Sequence, residues 1–131
     1  MKTITTFLLF LVCGISFSQS QEEMNQEAYS NYQRADTELN QVYQQILKEY
    51  QHDTLFIEKL KEVQRLWVGY RDAQVLMKYP YENKGSEYGD VFPMCVSYYL
   101  QELTQYRTED LRLWLQGVEE GDVCSGSVKI N

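Results

Sequence analysis

The sequence predicts a small all-α domain: an antiparallel helical hairpin with a third helix packed against it. Three observations predict it. Glu22 to Tyr50 carries no Pro or Gly and places Ala28, Tyr32, Ala35, Leu39, Ile46 and Tyr50 on or near one helical face. Gln51-His52-Asp53-Thr54 interrupts that pattern, and Asp53 or Thr54 is suited to cap a second helix. Pro80, Gly85 and Gly89 then mark a polar loop before helical periodicity resumes.

Each element follows in order. Met1-Lys2 is a basic start, Ile4 to Ile15 is mostly apolar, and Ser16-Phe17-Ser18 has the small-x-small form of a signal-peptidase site. Residues 1–18 therefore read as a secretory signal peptide, and residues 19–131 as one exported domain with its core in 24–115 and a tail in 117–131. A lipoprotein signal ending at Cys13 fits less well, because Val12 stands where a small residue is expected. The first helix covers roughly Glu22 to Tyr50. The second covers Leu55 to Lys78 and stops before Pro80. The third covers Val91 to Leu115, with Asp90 as cap and Pro93 in the first turn. Thr104 is also suited to cap, so a break near Leu103-Thr104 is one expectation. The tail from Glu119 lacks periodicity and would fray unless tied down.

Without Lys2 the chain has eleven basic and nineteen acidic side chains, a net charge near −8. Nucleic-acid binding needs basic patches, so it is excluded, as is docking on anionic lipid. Acidity favours cationic partners, or serves only to keep an exported protein soluble. No second apolar run exists to insert in a membrane after signal cleavage. The lone His52 and two cysteines make no metal-ligand spacing, and no cofactor motif is present. Carboxylates such as Asp36, Glu38 and Asp72 read as solvated helix faces rather than an acid–base pair, so no enzyme is expected. Cys95 and Cys124 remain in the exported portion. An isolated pair in an oxidising compartment is expected to form a disulfide, worth roughly 3.6 kcal/mol for a loop of about 29 residues. Two free thiols are the alternative.

The helices carry polar residues where a core is expected. Asp36, Leu39, Asn40 and Tyr43 share one face of the first helix; Leu60, Gln64, Trp67 and Arg71 share one face of the second. A turn near Gln51-His52 sets facing residues to numbers summing to about 103. Asp36 then falls near Trp67, Asn40 between Gln64 and Trp67, and Arg71 within reach of Asp36 or Tyr32. The reading is a structural polar network of Asp36, Asn40, Tyr43, Gln64, Trp67 and Arg71.

These residues also carry a family resemblance. Ala35-Asp36-x-x-Leu39-Asn40-x-x-Tyr43, Gln64-x-x-Trp67-x-x-Tyr70-Arg71-Asp72-Ala73, Gly85-Ser86, Cys95, Thr104-x-x-Arg107 and Leu111 resemble the LprI-like lysozyme-inhibitor family. Many relatives have a further cysteine pair where this chain holds Glu27 and Val75, as if one bridge had been removed. Cys95 matches a family cysteine, and the resemblance implies Cys124 as its partner. It also implies an exported protein that binds and blocks a cationic lysozyme. The loop Tyr79 to Tyr88 is the candidate contact, through Tyr79, Tyr81, Glu82, Glu87 and Tyr88. That loop is alternatively a plain connector, and the protein an envelope interaction or stress module with another partner.

Overall fold

A computed structural model describes residues 19–131. The signal-peptide reading falls on residues 1–18, outside the described residues. Four helices follow: α1 Gln21–Glu49, α2 Thr54–Lys78, α3 Lys84–Tyr88 and α4 Phe92–Gln116.

Local chemistry starts and stops each one. Ser20 caps α1: its hydroxyl accepts from the Glu23 amide at 3.2 Å, and the Glu23 carboxylate accepts from the Ser20 amide at 3.0 Å. Asp53 caps α2 by accepting from the Phe56 amide at 3.0 Å. Asn83 caps the single turn of α3, within what the sequence reads as loop. Pro93 sits in the first turn of α4, where its missing N–H costs nothing.

The chain runs up α1, back down α2 and up again along α4. Asn25 donates to the Asp90 carbonyl at one end, and Tyr50 donates to the Trp114 carbonyl at the other, so α1 and α4 are parallel. The expected hairpin of α1 and α2 is present in the chain path, but the closest backbone approach is between α1 and α4. Small residues explain this. Ala28 and Ala35 of α1, and Ser97, Thr104 and Thr108 of α4, are all buried. On α2 the inward residues are Gln64, Trp67 and Arg71, whose length holds that backbone away.

The core lies toward the C-terminal ends of α1 and α4. Leu39, Val42, Ile46, Leu60 and Leu111 form it, with Tyr43, Phe56, Trp67 and Trp114 packed around. Tyr50, Phe56 and Trp114 stack beside it, with ring centroids 4.8 and 6.2 Å apart. The described helices include none long and apolar enough to cross a membrane.

Two expectations are corrected. First, α4 is continuous through Leu103-Thr104. Thr104 is fully buried, and its carbonyl accepts from the Thr108 hydroxyl at 2.9 Å, so it serves as a small packing residue rather than a cap. Second, Cys95 and Cys124 are both free thiols. Cys95 lies in the first turn of α4, whereas the tail is anchored at Trp114, about 28 Å further along the helix axis. A disulfide needs Cα atoms within roughly 7 Å.

The tail is held by hydrogen bonds instead. The Trp114 indole donates to the Ser127 hydroxyl at 3.0 Å, and the Lys129 amide donates to the Tyr50 hydroxyl at 3.0 Å. The Val118 amide donates to the Lys129 carbonyl and the Asn131 amide to the Val118 carbonyl, each at 2.9 Å, and the Asn131 side chain donates to the Gln116 carbonyl at 2.8 Å. The last turn of α4 is thereby closed by the end of the chain. Val128 fills the space beneath, buried at 8% exposure.

Candidate functional site

Two features were singled out by sequence: the polar face between α1 and α2, and the loop after α2. Their geometries differ in kind.

Arg71 organises the polar face. Its side chain is only 14% exposed and bridges the helices. Its guanidinium lies 3.7 Å from the Asp36 carboxylate on α1 and 2.8 Å from its neighbour Asp72. It also sits over the Trp67 ring, 5.5 Å from the centroid. Asn40 donates to Asp36 at 3.3 Å within α1 and is itself exposed. Gln64 turns away from this group and accepts from Arg107 of α4 at 3.1 Å. Tyr43 packs on the apolar core, where burial raises its phenol above the ordinary range. The six signature residues therefore divide among an ion-pair cluster, an α2–α4 hydrogen bond and the core rim.

Arg107 belongs to the family resemblance, which assigns it no structural role; here it joins α4 to α2 through Gln64. Its half-buried guanidinium is made less basic by desolvation, with Asp110 opposing the shift. Tyr32 lies near Arg71; burial raises its phenol, and the Arg71 charge works the other way.

Among the described residues no group of three His, Cys, Asp or Glu side chains is placed to hold a metal ion. The lone His52 is exposed in the α1–α2 turn.

The loop from Tyr79 to Tyr88 is built on an aromatic cluster. Tyr79 and Tyr88 meet edge to face at 5.2 Å, and both pack on Phe92, at 5.2 and 5.5 Å. Burial raises the Tyr79 phenol above its ordinary value. Tyr81 reaches Tyr88 at 6.2 Å but remains 61% exposed. Lys84 turns inward: its ammonium donates to the Tyr79 carbonyl and lies 6.0 Å over both the Tyr88 and Phe92 rings. Lys78 is likewise drawn over the Tyr99 ring at 3.9 Å. Glu82 and Glu87 stay exposed. Tyr79 and Tyr88 thus support the loop, while Tyr81, Glu82 and Glu87 face outward.

Beside the loop, Gln21, Glu22, Asn25, Gly85, Asp90 and Pro93 line an open groove of about 500 Å³. Glu22 and Asp90 add carboxylates to the same end of the bundle. Glu22, Glu82, Glu87 and Asp90 outnumber Lys78 and Lys84 here, so the charge this end presents is negative.

Fold and surface together define a small helical domain with an acidic, aromatic end. Residues 15–111 match the family described as Lysozyme inhibitor LprI, and the chain belongs to that family. It is similar to an uncharacterized protein of Rhizobium meliloti (strain 1021), 35% identical over 76% of this chain and 77% of that one. No solved structure matches.

Proposed function

We propose that the chain is an exported inhibitor that binds a cationic lysozyme and obstructs its cleft, with no catalytic activity of its own. The observation that carries this reading is family membership over residues 15–111. The acidic end of the bundle supports it. Tyr81 offers rigid contact area with few rotamers to freeze, and Glu82 and Glu87 offer carboxylates to cleft arginines. The aromatic cluster beneath them keeps the loop in one shape before binding, which lowers the entropic cost of association. Net negative charge steers a cationic partner toward the chain, so association slows as salt rises.

The test is lysis of cell walls by a panel of lysozymes with and without the purified protein. Dose-dependent loss of lysis near equimolar protein, weakening with salt, is the expected result. Full lysis at large excess across the panel overturns the proposal.

A further inference from the structure

The outward face of α2 is uncovered. Leu55, Val63, Leu66, Tyr70, Leu76 and Met77 are each between 47% and 69% exposed, although Leu60 on the opposite face is buried. Leu66, Gly69, Tyr70, Ala73 and Met77 recur at i, i+3, i+4, i+7 and i+11, a continuous helical stripe. Gly69 stands in its middle. A helix-interior Gly costs about 1 kcal/mol against Ala, and a Cβ built at Gly69 would meet nothing within 4 Å. Packing inside one copy therefore does not require this glycine. It leaves room there for another helix to approach closely.

We infer that α2 is the interface of a symmetric dimer, two copies of this helix packing antiparallel about Gly69 and Tyr70. Three arguments select a second copy as the occupant. The first is area. The five of these side chains within the paired length, Val63 to Met77, present on the order of 500 Å² per copy, so pairing removes on the order of 1,000 Å², the size of a weak, reversible interface. The second is shape. In the antiparallel register with numbers summing to 139, Tyr70 of each copy lies over Gly69 of the other, and Leu66 lies against Ala73. A large residue meets a small one at these two central positions.

The third is charge. α2 carries five basic residues against three acidic ones, in a chain whose remaining described part is strongly acidic. Pairing through α2 keeps the acidic surfaces of the two copies apart. Arg65 and Asp72 flank the stripe on the same side, and the antiparallel register brings Arg65 of each copy to Asp72 of the other. A parallel pair would place the flanking residues of the two copies on opposite sides of the seam, where Arg65 meets neither Arg65 nor Asp72 of the other copy.

Sedimentation of the purified protein from low to several hundred micromolar tests this. The expected result is a monomer–dimer equilibrium. Leu66→Asp should weaken it at least about 30-fold, with far-UV circular dichroism unchanged because Leu66 is exposed in the monomer. Arg65→Asp or Asp72→Arg alone should weaken it, and the two together should restore it. A monomer throughout the range overturns the inference, as does a dimer that survives Leu66→Asp. Failure of the charge swap to restore association overturns the antiparallel register. None of these outcomes depends on lysozyme.

Discussion

Gly117→Ala should be one of the most damaging single substitutions in the chain. Gly117 ends α4 at φ +76° and ψ −179°, a conformation that L side chains rarely adopt. Imposing it on alanine costs about 1–3 kcal/mol from the backbone alone. The space is also taken. An added Cβ would lie 2.4 Å from Asn131 Oδ1 and 2.9 Å from the Lys129 carbonyl oxygen. The Asn131 side chain can swing away, but only by releasing its bond to Gln116; the Lys129 carbonyl is main chain and bonds Val118. Losing two such bonds adds about 2 kcal/mol, for a total of about 3–5 kcal/mol. Denaturant unfolding measures the total. The steric part is separated by repeating Gly117→Ala in a chain lacking Lys129 to Asn131, where only the backbone cost remains. A loss below about 1 kcal/mol in the full chain, or an equal loss in both backgrounds, would refute the closing role given to the tail.

Arg71→Ala should cost about 1–2 kcal/mol, because it strips the shared cation from Asp36 and Asp72 and the cover from Trp67. Arg71→Lys should recover only part of this, and equal losses for the two would deny the planar guanidinium a role. Thr104→Val should be neutral or stabilise by about 1 kcal/mol, since the Thr104 hydroxyl oxygen is buried without a partner; a clear loss in thermal unfolding would show a partner the geometry lacks. Reducing agent should leave the melting temperature unchanged, and thiol titration of the unfolded protein should find Cys95 and Cys124 both free; a reducible bridge would contradict the separation of the two. Burial raises the phenols of Tyr32, Tyr43 and Tyr79 above 10.0 in the folded state. Their neutral forms therefore contribute stability that is full below pH 10.0 and lost as pH rises through the folded values. Tyr32→Phe should move the alkaline unfolding midpoint upward, and an unmoved midpoint would remove Tyr32 from that account.

The helix bounds were legible because their signals are local. Asp53, Pro80, Pro93 and Gly117 act on their own neighbours, and each stands at or beside a helix end. Helix pairing was less legible. The α1–α4 contact uses Ser97, Thr104 and Thr108, which do not register as an apolar stripe although they lie at helical spacing. Reading Thr104 as a cap followed from its residue type, and its packing against α1 is a tertiary fact that residue type does not carry. Arg71 and Asp36 could be placed on facing surfaces from periodicity alone. The choice of Arg107 as partner for Gln64 depended on how α4 lies across α2. In the loop, residue types named five contact candidates. Only the three-dimensional path of Phe92 separates the supporting pair, Tyr79 and Tyr88, from the outward three. The cysteine pairing failed because a compartment rule says that thiols tend to pair but not that they lie within reach.

The most direct test of the functional proposal compares the intact chain with a Tyr81→Ala, Glu82→Gln, Glu87→Gln variant as inhibitors of a cationic lysozyme. These three side chains face outward, so the variant should keep its helical content. The proposal predicts inhibition by the intact chain and at least about a tenfold weaker inhibition constant for the variant. Equal inhibition by both would place the binding surface elsewhere on the bundle, and no inhibition by either would contradict the lysozyme reading itself.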